Sequence, residues 1–544
     1  MNKKFYQYLI AISAIFFFIP FLGSVHLFDW DEINFAESAR EMIVTNNFAS
    51  VQIDFHPFWE KPPLFFWMQA LSMKLFGINE FAARFPNAVT GILTLLTFYF
   101  LGKNLYDERF GLIWSLAYLG SLLPHMYFKS GIIDPVFNFF IILSIVFLAK
   151  SIRKTEEGKG FKYALFAGIS IGLATLTKGP VGLLIAGISV LVYWITMKFK
   201  RISNWKNVLI FAMSCLIISS LWFGLEMINN GLGFIREFIK YQADLFLKQG
   251  AGHSGPIYYH FVVVFVGCFP LSVLALPGLF GRKAAAHDEG TYFFKWMLIL
   301  FWVVMILFTI VKTKIVHYSS LAYFPLSFIA AYFIYEMVNN GAKFNKYLVW
   351  TLFITGMIIS ILLTGLPIVA SHKNFIIPYI KDEFAIACLN APVKWGGYEF
   401  LIGFGYLLFL LIALFMMKRK QVFRGIITLF YSTAFCLFIY LKVVVPKIEG
   451  YSQSPAINFF KSISGQDVYA TTIGYFSYAN YFYFQKMPGG NNESSNKEWL
   501  LNGNIDKPVY IVAKSTSKSL FDKHPDCRFI KQEGGFLFYY RNPL

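Results

Sequence analysis

Long apolar segments recur along the 544-residue chain, and short polar segments separate them. Apolar runs of about 18 or more residues with few charges are typical of membrane-spanning helices. The pattern predicts thirteen spans, near residues 5–25, 84–102, 109–127, 132–149, 162–177, 180–198, 207–226, 257–280, 292–311, 317–338, 347–370, 399–417 and 424–445. A bundle of spans is one cooperative unit, so the length does not indicate several soluble domains.

The basic residues fall mostly in alternate short loops, for example 150–159, 198–206 and 418–424. This bias predicts that those loops and the N-terminus are cytoplasmic, and that the longer loops 26–83, 227–256 and 371–398 are exterior. The formal net charge of +18 could instead indicate a nucleic-acid partner. Because the loop bias accounts for the charge, we expect membrane lipids and no nucleic acid as partners.

The first exterior loop, residues 26–83, has a helical pattern of its own. Ile33, Ala36, Ala39 and Met42 repeat at helical spacing, which predicts a short amphipathic helix in the membrane interface. A second helix is expected to begin at Pro62 and Pro63, since proline is tolerated in a first helical turn. Two such helices would hold the polar residues of the loop at the membrane surface.

The chain changes character after residue 446, where Gly, Asn, Ser and Lys become frequent. Residues 509–513 and 535–540 have the composition of β-strands, and residues 489–492 that of a turn. We therefore divide the chain into a transmembrane domain, 1–446, and a small exterior α/β domain, 447–544. Cys388 and Cys527 both fall in predicted exterior segments, and the sequence leaves open whether they pair.

Acidic residues cluster in the first exterior loop of a chain that is only 14% charged. The cluster includes Asp31, Glu32 and Glu60. Ionisable groups next to a membrane usually line a polar cavity. A solvated loop is the alternative, but it would not need Trp30 and Trp59 among the charges. The loop is therefore the candidate site.

These motifs resemble a known family. The stretches Trp30-Asp31-Glu32 to Ala39-Arg40-Glu41-Met42 and Glu60-Lys61-Pro62-Pro63-Leu64 resemble the GT-C membrane glycosyltransferases that use polyprenyl-phosphate sugars. They are most similar to the bacterial aminoarabinose transferases of lipid A and, more distantly, to protein O-mannosyltransferases. Further similar motifs are Ile133-Asp134-Pro135, Leu176-Thr177-Lys178-Gly179-Pro180, His253 and Lys312-Thr313-Lys314 with Tyr318.

The resemblance implies a multi-pass α-helical GT-C fold of about thirteen helices, with interfacial helices in the first loop and the small tail domain. It implies an inverting transfer of aminoarabinose or a related sugar from undecaprenyl phosphate to lipid A, on the periplasmic side of a bacterial inner membrane. Glycosylation of exported proteins is the alternative. In the aminoarabinose transferases we would expect a second phosphate-binding cation after His253, and no arginine follows it within its loop.

The resemblance places the key catalytic acid at Asp31, and we assign Glu32 and Asp134 to the same group. A carboxylate near the anomeric carbon can stabilise an oxocarbenium-like transition state or accept the proton of the acceptor. The alternative for Asp31 is a helix N-cap, and Asp134 could simply begin a helix before Pro135.

Cations on the exterior side are candidates for the donor phosphate, because the positive-inside bias does not explain them. The candidates are the cations Lys61, Lys178, Lys314 and Arg84, together with the hydroxyl of Tyr318. For the lysines the alternative is a side chain that snorkels at the end of a span, and for Arg84 it is an interface anchor.

A divalent metal ion is implied by the resemblance for some members of the family, near Glu60 and His253. Carboxylates and imidazole suit zinc, manganese or magnesium, and we expect no organic cofactor. The alternative is that His253 is a solvated loop residue.

Two other classes of protein would explain many spans. A transporter predicts paired halves and broken helices at the midplane, whereas the charges of this chain lie mostly in loops. A non-catalytic assembly factor would explain the tail but not the clustered acids. The sequence therefore favours an enzyme, without deciding which sugar or which acceptor it uses.

Overall fold

The computed structural model describes residues 5–247, 255–280, 289–340 and 345–543, and most of them are helical. All thirteen segments predicted as spans contain helix in those ranges. Before the tail the helices are α1 (Phe5–Phe18), α2 (Asp31–Thr45), α3 (Leu64–Phe76), α4 (Glu80–Leu105), α5 (Glu108–Leu119), α6 (Leu122–Tyr127), α7 (Asp134–Arg153), α8 (Gly160–Lys178), α9 (Val181–Thr196), α10 (Trp205–Leu247), α11 (Tyr259–Gly267), α12 (Leu271–Phe280), α13 (Glu289–Ile310), α14 (Tyr323–Asn340), α15 (Lys346–Ser371), α16 (Glu383–Leu389), α17 (Leu401–Lys418) and α18 (Val422–Val443).

Nine helical segments within the described ranges are long and apolar enough to cross a membrane. The other four predicted spans are shorter or interrupted: α1, α5 with α6, α9, and α11 with α12. A multi-pass membrane protein is thus confirmed, while the number thirteen stays a prediction for those four segments.

Helices α8 and α10 approach closely at Gly168. A Cβ atom at this position would overlap the Ser214 hydroxyl and the carbonyl oxygen of Phe211. Small residues permit such close approaches in membrane bundles, where van der Waals packing between helices stabilises their association.

Helix α10 does not end near residue 226 as predicted. It bends at Gly231, whose φ of 68° and ψ of −166° are not helical, and continues as helix to Leu247. Glycine adopts this positive φ without steric cost. Residues 227–247 are therefore helical and not an irregular loop, because a glycine bend redirects the helix instead of ending it; their exterior location stays a prediction.

The first loop contains the two predicted helices, α2 and α3, joined by the small hairpin of β1 (Gln52–Ile53) and β2 (His56–Pro57). Helix α2 was expected to bury one apolar face, but every residue from 32 to 42 is buried. Two of its charged residues pair with each other inside: Arg40 Nη2 lies 2.7 Å from Glu37 Oε1. The reason is that the tail covers the face that a lone interfacial helix would expose.

The tail begins with two short helices and ends in a four-stranded sheet. Its elements are α19 (Val445–Gly450), α20 (Ser454–Ile463), β3 (Tyr469–Ile473), α21 (Ala479–Phe482), α22 (Lys497–Asn502), β4 (Val509–Lys514), α23 (Lys518–Phe521), β5 (Arg528–Glu533) and β6 (Phe536–Arg541). The strand order is β3-β4-β6-β5, with β3 parallel to β4 and the other pairs antiparallel. The predicted strands correspond to β4 and β6.

Alternation along the strands gives the sheet two buried faces. Val512 and Phe538 join a hydrophobic core that includes Phe35 and Phe65 of the first loop. Ile511 and Leu537 point to the other face, where they pack with Leu500 of α22. The tail therefore shares one of its two cores with the first loop.

Polar contacts also fix the tail to the first loop and the start of α4. The Tyr483 hydroxyl accepts a hydrogen bond from the Leu27 amide at 2.7 Å. Further contacts are His26 Nδ1 to Glu449 at 3.0 Å, Lys461 to Glu80 at 2.8 Å, and the pairs Lys486 with Asp54 and Ser477 with Asp29. The tail therefore fixes the position of the loop that begins α2.

The thiols of Cys388 and Cys527 are both free. Cys527 is buried in the core that the sheet forms with α22, and the sulfur of Cys388 lies against Gly535. The pairing that the sequence left open is absent from the structure.

Candidate functional site

A cavity opens where α7, α8, α9 and the second half of α10 meet the turn before α14. It has an empty volume of about 610 Å³, part of which is open to the surroundings. The cavity is lined by Lys61, Asp134, Phe137, Asn138, Lys178, Val181, Ile185, Gln242, Phe308, Val311, Tyr318 and Leu321. Four of the predicted site residues are therefore brought together: Lys61, Asp134, Lys178 and Tyr318.

Asp134 and Lys178 form an ion pair inside this cavity, with 2.6 Å between Lys178 Nζ and Asp134 Oδ1. Asp134 is the first residue of α7 and Lys178 the last of α8, so each charge is stabilised by the dipole of its own helix. The Asp134 side chain is only 5% exposed. Lys178 Nζ also lies 5.3 Å from the ring centroid of Tyr318.

His317 connects the buried Asp134 to the more exposed Asp31. Its Nε2 atom lies 3.5 Å from Asp31 Oδ2 and 3.9 Å from Asp134 Oδ2. The Asp31 side chain is 42% exposed. Helix α2 has Trp30 at its N-cap and no side-chain capping bond, so the carboxylate of Asp31 does not serve as the cap.

His317 was not among the site residues predicted from the sequence. A signal was present, because the residue stands between Lys314 and Tyr318 in a block already singled out. A histidine beside two carboxylates can hold or pass on a proton, so the cluster of Asp31, His317 and Asp134 suits acid–base chemistry.

Lys61 lies in the turn before α3 and is only 9% exposed. Its Nζ atom is 3.1 Å from the hydroxyl of Tyr241 and 4.6 Å from the centroid of the same ring. Burial and the nearby charge of Lys178 lower the pKa of Lys61 to about 8, although Glu60 and Asp31 act in the opposite direction. Within the described ranges no carboxylate forms an ion pair with Lys61. It is a buried cation suited to an anionic ligand.

Tyr241 and Gln242 belong to the part of α10 beyond Gly231. Gln242 lines the cavity, and its Nε2 donates to the backbone carbonyl of Glu60 at 3.4 Å. Both residues were missed because residues 227–256 were predicted to be a loop.

Glu32 and Arg84 do not line the cavity. They form a buried ion pair, with Arg84 Nη2 2.7 Å from Glu32 Oε2. Arg84 also donates to the carbonyls of Leu22 and Val25 at 2.7 Å, and Glu32 accepts from the Gly131 amide. Burial raises the pKa of Glu32, but Arg84 and the hydrogen bonds outweigh it and lower that pKa below its usual range.

This pair corrects two sequence predictions. Glu32 was assigned to catalysis and Arg84 to the donor phosphate, but each charge is already neutralised by the other. Their contacts instead hold α2 against the start of α4.

Lys314 also has a different role from the predicted one. Its Nζ donates to the carbonyls of Phe308, Thr309 and Val311 at 3.0, 2.7 and 2.7 Å. These three bonds use all the donors of an ammonium group on the carbonyls at the end of α13. No donor remains for a phosphate, so Lys314 is a helix-capping residue.

Of the two predicted metal ligands, His253 lies outside the described residues. Glu60 is half-buried beside Lys61. In the ranges the structure describes, no group of three His, Cys, Asp or Glu side chains could hold a metal ion. The metal stays a prediction, and no step below depends on it.

The bundle of long apolar helices, the helical first loop and the docked tail sheet together form the GT-C membrane fold. The ArnT structure from Cupriavidus metallidurans superposes with a TM-score of 0.77 in the apo state, at 16% identity over 100% of both chains. The same protein bound to undecaprenyl phosphate gives a TM-score of 0.73 at 17% identity, over 99% of this chain and 100% of that one. Within the GT-C class, the chain therefore has the fold of ArnT.

Sequence similarity agrees with the fold over part of the chain. Residues 60–223 match the family described as dolichyl-phosphate-mannose-protein mannosyltransferase. A curated relative from Wigglesworthia glossinidia brevipalpis, the undecaprenyl phosphate-alpha-4-amino-4-deoxy-L-arabinose arabinosyl transferase, is 27% identical over 337 residues. That alignment covers 61% of this chain and 59% of the relative. The chain thus spans about three fifths of the length of this relative, and the resemblance seen in its motifs is confirmed.

Proposed function

We propose that this protein is a glycosyltransferase that moves a sugar from undecaprenyl phosphate to an acceptor outside the cytoplasm. Aminoarabinose is the favoured sugar and lipid A the favoured acceptor. The observation that carries the proposal is the buried Lys61, which has no carboxylate partner in the described ranges and lies beside the cluster of Asp31, His317 and Asp134. The name of the similar relative supports the choice of donor.

The donor phosphate would bind at Lys61, with Tyr318 and Lys178 lining the same cavity. A charge-assisted bond from a buried ammonium to a phosphate is stronger than one between neutral groups. Lys178 already neutralises Asp134, so Lys61 supplies most of the uncompensated charge.

Asp31 is the proposed general base. An acceptor oxygen, belonging to a phosphate of lipid A or to a hydroxyl in the second candidate, attacks the anomeric carbon, the bond from that carbon to the carrier phosphate breaks, and the phosphate leaves with the electron pair. The proton of the acceptor passes to the Asp31 carboxylate, which His317 holds in place. Asp134 is less suited to this role, because its charge is paired with Lys178.

The orientation follows from the basic loops. We place the N-terminus in the cytoplasm of a bacterial inner membrane and the tail in the periplasm, where the loop with Asp31 would meet a carrier in the outer leaflet. The membrane-embedded helices agree with this location.

Protein O-glycosylation is the second candidate, since residues 60–223 match the protein mannosyltransferase family. In that case a serine or threonine hydroxyl replaces the acceptor phosphate of lipid A, and the roles of Lys61 and Asp31 stay the same. No feature of the described structure favours a transporter over these two.

The test combines a deletion strain with purified protein. Mass spectrometry of lipid A and of exported proteins, compared with the parent strain, should show lipid A lacking aminoarabinose. Purified protein should then transfer the sugar from undecaprenyl-phosphate aminoarabinose to lipid A, and the Asp31→Asn variant should not. Loss of glycan from exported proteins alone would favour the second candidate, and no change in either would overturn both.

Chelation of the purified protein tests the predicted metal. Transfer that is lost with a chelator and restored by zinc, manganese or magnesium would support it. Unchanged transfer would remove the metal from the proposal and leave the roles of Lys61 and Asp31 intact.

A further inference from the structure

We propose that Trp30 and Phe476 form an aromatic platform that binds a phosphorylated sugar ring of the acceptor; this inference rests on the proposed function. Trp30 comes from the first loop and Phe476 from the tail. Their ring centroids are 5.2 Å apart at an interplanar angle of 33°. Although both are large apolar side chains, Trp30 is 54% exposed and Phe476 47% exposed.

The platform lies next to the proposed base. Trp30 directly precedes Asp31, which is partly exposed and whose Oδ2 is 3.5 Å from His317 Nε2. A ligand that stacks on Trp30 therefore lies next to Asp31, the carboxylate that would accept its proton. The carrier phosphate would be bound elsewhere, at Lys61, so the platform is available to the acceptor.

Both rings are held on fixed backbone. The half-buried carboxylate of Asp29 accepts hydrogen bonds from the Ser477 hydroxyl and from the Tyr478 amide, the latter at 3.4 Å. These bonds fix the residue before Trp30 to the two residues after Phe476. The Tyr478 ring supports Phe476 edge-on, with centroids 4.9 Å apart at 88°. A rigid surface loses little conformational entropy when a ligand binds.

The chemistry of the surface fits a sugar phosphate. A pyranose ring has an apolar C–H face, which an aromatic side chain can cover, and aromatic rings commonly form the apolar part of small-molecule sites. Lys497 adds a positive charge, with its Nζ 5.9 Å from the Phe476 centroid. Charge complementarity thus favours an anionic sugar over a neutral lipid chain. Anchoring in the membrane interface is the competing role for exposed aromatics.

The first test is the acceptor dependence of transfer. Phe476→Ala should raise the KM for lipid A by about threefold to tenfold, the effect of losing one aromatic contact, and should leave kcat and the donor KM unchanged. Phe476→Tyr should restore the KM, because the ring is kept. Phe529→Ala is the matched control, since Phe529 is a 55% exposed phenylalanine of the same tail. An unchanged acceptor KM in Phe476→Ala would overturn the platform.

A binding measurement separates this inference from the proposed function. Equilibrium binding of lipid A to detergent-solubilised protein, without donor, should weaken in Phe476→Ala and not in Phe529→Ala. That difference in a protein without transfer activity would support the platform and refute the function. Normal transfer with equal binding in both variants would refute the platform alone. A loss of membrane-bound protein in Phe476→Ala, with unchanged binding in the remainder, would identify an interface anchor instead.

Discussion

The Nε2 atom of His317 lies 3.5 Å from the Oδ2 atom of Asp31, although one residue precedes α14 and the other begins α2. The imidazole also reaches toward Asp134, at 3.9 Å. Two carboxylates of different exposure therefore share one histidine. The exposed one can meet an acceptor, while the buried one is neutralised by Lys178.

Removing the charge of Asp31 should abolish transfer without unfolding the protein. Asp31→Asn keeps the size of the side chain, and the residue makes no capping bond that could be lost. General acid–base catalysis typically contributes about 10²–10⁴-fold, so the rate should fall at least about a hundredfold. Rates are measured in membranes with matched amounts of protein. Asp382→Asn, at the exposed cap of α16, is the control; normal transfer by Asp31→Asn would rule out the carboxylate as the base.

The affinity for the donor should depend on pH through Lys61. A lysine is charged below its pKa, and the pKa of Lys61 is lowered to about 8. As the pH rises through 8 the free protein loses this charge, so the donor KM should be constant below that value and rise above it. Initial rates at varied donor concentration between pH 6 and about 9.5 measure this dependence.

Two variants separate the charge of Lys61 from its shape. Lys61→Ala should raise the donor KM about tenfold or more, for the loss of one charge-assisted bond of about 1.5–3 kcal/mol, and should remove the rise above pH 8. Lys61→Arg should stay partly active with no such rise, because arginine remains charged. Lys531→Ala on β5 is the control. A wild-type donor dependence in Lys61→Ala would make Lys178 the better candidate.

Asp134 and Lys178 should behave as one unit. Asp134→Asn leaves a partly buried ammonium without its partner, and Lys178→Met leaves a buried carboxylate. Each single variant should lower thermal stability, and the double variant should lose less than the sum, as expected for residues in direct contact. Thermal unfolding of the four proteins in detergent completes the double-mutant cycle. If the losses of thermal stability in the two single variants simply add in the double variant, the Asp134–Lys178 pair at 2.6 Å contributes no interaction energy.

Arg84 should be needed for stability and not for the donor. Arg84→Met leaves Glu32 charged and buried, and breaking a buried pair costs about 3–5 kcal/mol. Less folded protein should accumulate, while the donor KM of the folded fraction stays at the wild-type value. A raised donor KM with normal stability would restore the phosphate-binding role predicted from the sequence.

Reporter fusions should place the tail outside the cytoplasm. A reporter that is active only after export should be active when fused after Leu544 and silent when fused after Lys420. The reverse pattern would contradict the orientation and put the loop with Asp31 on the wrong side of the membrane.

The apolar pattern was enough to predict the helices of the bundle and of the first loop, because hydrophobic periodicity reports directly on burial. Asp31, Lys61, Asp134 and Lys178 could be singled out because charges are rare beside long apolar runs. The sequence pattern alone could not show which charged side chains form ion pairs with each other. Glu32 and Arg84 looked like site residues, but they neutralise each other, and Lys314 is bound to carbonyls at the end of α13.

Tyr241 and His317 were missed for different reasons. Tyr241 reaches Lys61 only because α10 continues as helix beyond the bend at Gly231, and a glycine preceded by two asparagines is also typical of a turn or loop. His317 belongs to the block from Lys312 to Tyr318, in which only the lysines and the tyrosine were interpreted as phosphate-binding residues. Its role depends on its distance to Asp31, and the two residues are too far apart in the sequence for any local pattern to indicate that distance.

The docking of the tail on the first loop has a consequence for biosynthesis. Asp29, Asp54 and Glu80 are synthesised early, but their respective partners Ser477, Lys486 and Lys461 follow only after all the predicted spans. The loop that begins α2 therefore lacks its final support while the bundle is being inserted. A ribosome that stalls after residue 446 would leave a membrane-embedded chain whose Asp31 and Trp30 are not yet held in place. The order of synthesis thus means that a half-made chain does not present the finished candidate site.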